Sequence, residues 1–533
     1  MFRDRDFDPT MFLTRRERES RSSRKSAGDS LDLQQLLPWN QEALRRDLGL
    51  DIQLSAMAQG DHFLFDVATV AMLSTLRDLE TIHYRQRILA DCLNNPSIIV
   101  DMYRVAMDAV EGEKKNYLSF FSRYPSGVLH RSIEVLQMFV RNLKRLRAIG
   151  DQHQSKFVSE GMCRFFAMLN QELSDEYFAE IERHLNRLKF RHGVLISARL
   201  GVGGKGKDYV LRKPHEDKRS WLERLVAERP RSYSFALHPR DEAGMRALGE
   251  LTDRGVNLVA NAVGQSTDHI LSFFQMFRTE LAFYVGCLNL QRELQRIGEK
   301  TCFPTVTPTG QRDLSFVGLY DASLALSLGQ KVVGNDVNAN QSDLVMVTGA
   351  NTGGKSTFLR SIGTAYMMAQ AGMFVPAETF SGAISEGVYT HYKREEDATM
   401  NSGKWDEELN RMSLIIASIR PNSILLFNES FASTNEREGS EIAGQIVRAL
   451  LDRRIRVFFV THLFHFAHSF FVGNAPTATF LRAERRPDGT RPYKLMLGEP
   501  LQTSYGEDLY RAIFAGRDRR ERVSGPIKDK AAV

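Results

Sequence analysis

The sequence predicts an α plus α/β chain, in which a region of long helices is followed by a phosphate-loop α/β domain. Three observations carry that prediction. Apolar residues recur at three- and four-residue spacing through residues 35–300. Strand and helix signals alternate from 301 to 515. Gly349-Ala350-Asn351-Thr352-Gly353-Gly354-Lys355-Ser356-Thr357 fits G-x-x-x-x-G-K-[ST] at every fixed position.

The elements follow in chain order. Residues 1–34 are charged and rich in Arg and Ser, as in Arg15-Arg16-Glu17-Arg18-Glu19-Ser20-Arg21-Ser22-Ser23-Arg24-Lys25. Such a segment buries too little apolar surface to offset its ordering entropy, so a disordered basic tail is expected. Within 35–300, Ile133, Leu136, Phe139, Val140, Leu143 and Leu146 mark one helix, with Arg141, Lys144 and Arg145 between them. Ile270, Phe273, Phe277, Leu281, Tyr284, Leu288 and Leu294 mark a second of roughly seven turns, opening at the N-cap candidates Ser266-Thr267-Asp268. A helix that long suits a strut or lever, and its apolar stripe equally suits ordinary bundle core.

Between these helices, near 193–214, Gly201, Gly203 and Gly206 spell G-x-G-x-x-G. The strand-like Tyr209-Val210-Leu211 and then Pro214 follow, with no helix to hold a pyrophosphate, so a hairpin or mobile loop is expected rather than a dinucleotide fold. Lys205, Lys207, Arg212 and Lys213 there either reach a phosphate backbone or keep the loop soluble. Residues 301–515 form the α/β domain, and 516–533, opening with Arg517-Asp518-Arg519-Arg520-Glu521-Arg522, read as a second disordered basic tail.

Bulk properties narrow the class. The 533 residues exceed one ordinary core and suggest about three or four domains. A chain that is 42% hydrophobic and 26% charged is of the soluble globular type. No apolar run approaches the roughly 18 residues of a membrane span, and Met1-Phe2-Arg3-Asp4-Arg5-Asp6 is no secretion signal. Cys92, Cys163, Cys287 and Cys302 lie far apart without a C-x-x-C pair, which suits a reducing cytoplasm and argues against structural zinc. The net charge of +6 permits a polyanion partner without requiring one.

The phosphate loop carries the chemistry. Leu344-Val345-Met346-Val347 before it is of strand length, and Thr357-Phe358-Leu359-Arg360-Ser361-Ile362 after it opens a helix. Glycines let backbone N–H groups close around a phosphate chain, and the helix N-terminus adds partial positive charge. In that context Lys355 reaches the β- and γ-phosphates and Ser356 ligates Mg²⁺, so a nucleoside triphosphate is the expected cofactor. Ser423-Ile424-Leu425-Leu426-Phe427-Asn428-Glu429 is an apolar strand with an acidic end. Glu429 keeps the carboxylate that polarises an attacking water, whereas Asn428 reaches Mg²⁺ only through a bound water and adds no charge. Weak Mg²⁺ binding and slow turnover are expected. A further strand, Arg456-Val457-Phe458-Phe459-Val460-Thr461-His462, places His462 as a γ-phosphate sensor. His462, His465 and His468 recur every third residue but lack the Cys or acidic partners of a zinc site.

These segments together resemble the MutS family of DNA mismatch-repair ATPases, of the ABC-type class. The resemblance rests on Thr348–Thr357, on Ala369-Gln370-Ala371-Gly372-Met373-Phe374-Val375-Pro376-Ala377-Glu378, and on Thr434, Gly439 and Thr461-His462. Gly334-Asn335-Asp336 and Ser504-Tyr505-Gly506 add to it, so that it covers roughly residues 330–510. In the helical half, the match rests on long helices and Thr301-Cys302-Phe303-Pro304. The resemblance implies ATP and Mg²⁺ as cofactors, and a homodimer whose ATPase domains complete each other's sites through a signature loop. Ser402 and Trp405, in Asn401-Ser402-Gly403-Lys404-Trp405-Asp406-Glu407-Glu408, are candidates for that loop; Trp405 serves equally as a packing residue at a helix start. Phe178-Ala179-Glu180 spells the family's mismatch-reading wedge but falls inside a helical pattern, and no mismatch-reading domain is expected.

The expected function is an ATP-driven clamp on duplex or branched DNA. The alternative is a nucleotide-gated scaffold that binds ATP, barely hydrolyses it and assembles protein partners. A transporter ATPase fits less well, since the helical half has a cytosolic composition.

Overall fold

The computed structural model describes residues 37–116, 124–191, 193–213, 233–350, 352–394, 403–473 and 477–501. Both expected tails, Asn351, Asn401, Ser402 and Ser504-Tyr505-Gly506 lie outside the described residues. The described residues divide into two compact units, one of residues 95–281 and one formed by residues 37–94 together with those from Ala282 onward.

Four helices begin the second of these: α1 (Gln41–Leu48), α2 (Leu50–Ala58), α3 (His62–Leu73) and α4 (Leu79–Asn94). The Asp61 side chain caps α3 by accepting from the N–H groups of Phe63 and Leu64. Sequence periodicity assigns these helices to the helical region, but they fold with the α/β residues. Asn40 donates to the Val388 carbonyl at 3.1 Å, and Thr390 donates to the Asp47 carboxylate at 2.7 Å. The compact units therefore divide the chain at Asn94 and Ala282. Apolar spacing reveals that a helix has a buried face but not which partner buries it.

The other unit holds α5 (Pro96–Asn116), α6 (Pro125–His153), α7 (Glu160–Glu172) and α8 (Asp175–Leu188). Ile133, Leu136, Phe139, Val140, Leu143 and Leu146 are all buried on α6. Phe178 is buried on α8 beneath the Lys144 ammonium, so it is core rather than a wedge. β1 (Ile196–Leu200) and β2 (Gly206–Leu211) pair antiparallel, Ile196 opposite Leu211 and Leu200 opposite Gly206. The glycine pattern forms the turn between them, where Gly203 and Gly204 take φ of +70° and +74°. Lys205, Lys207, Arg212 and Lys213 are exposed on this ribbon.

α9 (Glu242–Arg296) is 55 residues long, about 80 Å at 1.5 Å per residue. The expected start at Ser266-Thr267-Asp268 is wrong: these residues are in mid-helix. Ser266 and Thr267 turn their hydroxyls back to the carbonyls of Ala262 and Val263, each at 2.9 Å, so the helix itself satisfies them. Phe274 and Phe277 pack on Phe139 and Phe165 at 5.5 and 5.0 Å.

Beyond α9 a four-stranded sheet is ordered β3 (Thr305–Thr307), β7 (Thr379–Ala383), β4 (Leu314–Leu319), β5 (Asn335–Asn338). A six-stranded sheet runs β12 (Leu495–Leu497), β11 (Ala478–Ala483), β6 (Leu344–Gly349), β10 (Arg456–Val460), β9 (Ile424–Asn428), β8 (Val388–Tyr392). All of its neighbours are parallel except β12 on β11. α10 (Ala322–Leu328), α11 (Lys355–Gln370), α12 (Lys404–Ser418), α13 (Glu436–Asp452) and α14 (Phe464–Val472) complete this unit. β6 is buried along its whole length, as a central parallel strand covered on both faces must be.

Candidate nucleotide-binding site

Sheet register assembles the site. Val460 of β10 lies opposite both Val347 of β6 and Asn428 of β9. The residues leaving these three parallel strands therefore emerge along one edge: the phosphate loop after Gly349, Glu429 after Asn428, and Thr461-His462 after Val460. Ligands of open parallel sheets bind at the carboxyl ends of the strands, and this edge is such an end.

The loop leaves no space for side chains. A Cβ on Gly349, whose φ is +106°, would stand 2.9 Å from the Ala483 nitrogen. A Cβ on Gly353 would stand 2.7 Å from Cβ of Ala483 and 2.9 Å from the Ala350 carbonyl. Gly354 (φ +85°) is the N-cap of α11, Thr352 has φ +55°, and Ala350 is fully buried. Lys355, Ser356 and Thr357 open the helix.

Lys355 is 5% exposed and donates to the carbonyls of Gly349 at 3.1 Å and Ala350 at 2.8 Å. Burial pushes its pKa down to about 8, with Arg491 adding and Glu429 opposing. The ammonium thus makes its hydrogen bonds to carbonyl dipoles, with the Glu429 charge acting from further away. Ser356 donates to Oδ1 of Asn428 at 3.0 Å, which brings the two predicted Mg²⁺-side residues together. His462 Nε2 lies 3.0 Å from Glu429 Oε1. That hydrogen bond is the largest of the effects holding the Glu429 carboxyl below its usual range, and His462, Lys355 and Lys393 add to it against desolvation. Glu429 also has φ +55°, a conformation that a non-glycine residue keeps only where its surroundings impose it.

His462 accordingly sits on the carboxylate. His465 and His468 are on α14, where Phe464 stacks on His468, and no metal-binding group of His, Cys, Asp and Glu exists among the described residues. Trp405 meets Phe431 edge-on at 6.3 Å within the domain core, which is its packing alternative. Gly439 lets α13 abut the turn after β9, since a Cβ there would stand 2.3 Å from the Phe431 carbonyl. Thr434 donates to Glu438 at 2.7 Å beside it.

Sequence reading missed the contribution of the β11–β12 connection. Arg491 donates to the Thr352 hydroxyl, Tyr493 lies against Gly354, and Ala483 packs on Gly349 and Gly353. No local signal could have found them, because they lie more than a hundred residues from the loop and only the sheet order brings them there.

The MutS2 N-terminal domain model matches residues 77–297 and the MutS domain V model matches residues 345–510. The DNA mismatch repair protein MutS of Thermus aquaticus is 32% identical over 176 residues, 33% of this chain and 21% of that protein. Endonuclease MutS2 of Carboxydothermus hydrogenoformans is 31% identical over 177 residues, 32% and 22% of the two chains. Human MutS protein homolog 4 is 29% identical over 143 residues, 27% and 15%. The aligned region thus spans about a fifth of the bacterial relatives. Among the described residues no helix is long and apolar enough to cross a membrane. With both family models matching in order along the chain, and the phosphate loop, Glu429 and His462 gathered on one sheet edge, this chain belongs to the MutS family.

Proposed function

We propose that the chain binds Mg²⁺–ATP at residues 349–357, hydrolyses it slowly, and couples nucleotide occupancy to a grip on DNA of the mismatch-repair type. The observation that carries this reading is the meeting of Ser356 with Asn428 and of Glu429 with His462 beside a buried Lys355. The narrow glycine cradle suits a phosphate chain, and the hydroxyl and amide oxygens of Ser356 and Asn428 are hard, neutral donors that suit Mg²⁺. When bound, the metal neutralises charge on the β- and γ-phosphates. Lys355 then exchanges its carbonyl partners for phosphate oxygens. Glu429, ionised, orients a water and accepts its proton, while the His462 hydrogen bond fixes the direction of the carboxylate.

For DNA, the exposed Lys205, Lys207, Arg212 and Lys213 of the β1–β2 ribbon supply phosphate contacts, which make binding steeply salt-dependent. α9 serves as the lever between nucleotide and DNA, and two copies pair through their ATPase faces in the cytoplasm. Ser402, just ahead of α12, then acts on the partner's nucleotide. Single-turnover ATP hydrolysis, run beside gel shifts on homoduplex, mismatched, branched and single-stranded DNA with and without ATP, tests the reading. Salt-insensitive binding, or none to any of these with ATP present, removes it.

Asn428 favours a second reading, the nucleotide-gated scaffold, because it brings no charge to the metal. ATP binding with neither hydrolysis nor a DNA shift selects it. The same residue yields a prediction. Asn428→Asp places a charge 3.0 Å from Ser356 Oγ. It is expected to tighten Mg²⁺ roughly three- to tenfold, the size of a partly exposed charge contact of about 1 kcal/mol. Mg²⁺ titration of nucleotide binding in the two proteins checks this.

A further inference from the structure

His391, near the end of β8, is fully buried, and nothing in the chemistry above uses it. Its ring stacks on Phe431 at 5.4 Å and tilts against Phe427 at 5.7 Å. Nε2 lies 3.0 Å from the carbonyl oxygen of Glu408 on α12, and Nδ1 lies 2.8 Å from Oγ of Ser430, the residue after Glu429.

The hydrogens can be assigned. A carbonyl only accepts, so Nε2 carries the proton. Burial first, with Arg411 and Arg394 adding, pushes the ring's pKa down to about 3, so Nδ1 offers a lone pair. Ser430 is therefore the donor to the ring, and its hydroxyl is also 2.5 Å from the main-chain carbonyl of His391. One hydroxyl hydrogen serves two acceptors on a single residue, which pins Ser430 to β8.

Ser430 is flanked by two residues in left-handed backbone, Glu429 at φ +55° and Phe431 at φ +63°. Neither is glycine, so the turn needs external support to persist. His391 gives that support twice, by hydrogen bond to Ser430 and by stacking on Phe431. Trp405 of α12 meets Phe431 edge-on at 6.3 Å, and the Glu408 carbonyl ties the His391 ring to the same helix.

We propose that His391 is a positioning residue: it locks the Glu429–Phe431 turn to the start of α12, so that the aim of the Glu429 carboxylate follows the placement of that helix. The inference rests on the hydrolytic reading above and adds to it a route by which anything that displaces α12 alters hydrolysis without touching the nucleotide.

The test uses the full chain with ATP and Mg²⁺ and the variants Ser430→Ala, His391→Gln and their double. Ser430→Ala removes one hydroxyl and leaves the core volume nearly intact. It is expected to slow single-turnover hydrolysis about tenfold or more, in line with the cost of misaligning a reacting group. ATP affinity by calorimetry should stay near wild type, and the thermal midpoint should fall by no more than a few degrees. His391→Gln, which retains a donor for the Glu408 carbonyl, should be slowed less. The double variant should be no slower than Ser430→Ala by more than about twofold, because the two residues act as one unit. Wild-type hydrolysis by a folded Ser430→Ala protein overturns the inference, as does loss of ATP affinity in step with rate, or a double effect equal to the product of the singles. A wild type that binds ATP and never turns it over sinks this inference together with the hydrolytic reading, whereas the other outcomes sink this inference alone.

Discussion

Lys355→Ala is expected to weaken ATP binding by at least about 100-fold, equivalent to about 2.7 kcal/mol. This ammonium is 5% exposed and donates to two loop carbonyls. A phosphate chain is the partner that makes such burial favourable, and alanine removes the only cation inside the cradle that the described residues direct at Gly349 and Ala350. The same geometry predicts a pH dependence. Burial lowers the Lys355 pKa from its ordinary 10.5 to about 8. Bound phosphates favour the charged amine and raise that pKa again, so ATP affinity should be flat below about pH 7.5 and weaken as pH rises through 8. For stability the sign is opposite. Between about pH 8 and 10.5 the unfolded chain holds more protons than the fold, so the nucleotide-free protein gains stability as pH rises across that window. Calorimetry at pH 8.5 in two buffers of different ionisation enthalpy checks the first claim. Binding without proton uptake would contradict the assignment of Lys355.

Glu429→Gln is expected to lower single-turnover hydrolysis about 10²- to 10³-fold while leaving the ATP dissociation constant within about threefold. The substitution keeps the shape and the contact with His462 but removes the carboxylate that accepts a proton from water. Since the His462 hydrogen bond holds that carboxyl low, it remains ionised across neutral pH, and the wild-type rate should fall only in acid, as the carboxylate is protonated. Rapid-quench measurement of ADP formation separates binding from chemistry. Unchanged hydrolysis in the variant would remove Glu429 from the proposed role.

The phosphate loop was legible because its determinants are consecutive: fixed glycines, one lysine, one hydroxyl, and flanks of the right length. Asn428, Glu429 and His462 were legible for a related reason, since each ends an apolar run that can only be an interior strand. Their meeting follows from the register of β6, β9 and β10. Arg491 and Tyr493 were not legible, because their role depends on which strand lies beside β6. The length of α9 was hidden by Ser266-Thr267-Asp268, which read as an N-cap in the sequence. Inside the helix they are tolerated, because Ser266 and Thr267 bond to their own preceding turn. Helices α1–α4 belong to the helical stretch of the sequence yet group with the α/β residues, which periodicity does not show because it records burial and not its partner.

α9 changes character along its length. Residues 245–251 are exposed around the whole circumference of the helix, while residues 281–290 are buried around all of it. A lone helix in water is marginal, whereas one enclosed in core unwinds only with the domain. Amide hydrogens near residue 248 should therefore trade with deuterium quickly and those near residue 286 only on global opening. One uninterrupted rod thus spans the range from local fraying to whole-domain cooperativity, and a protease cutting near residue 248 would leave its other end standing.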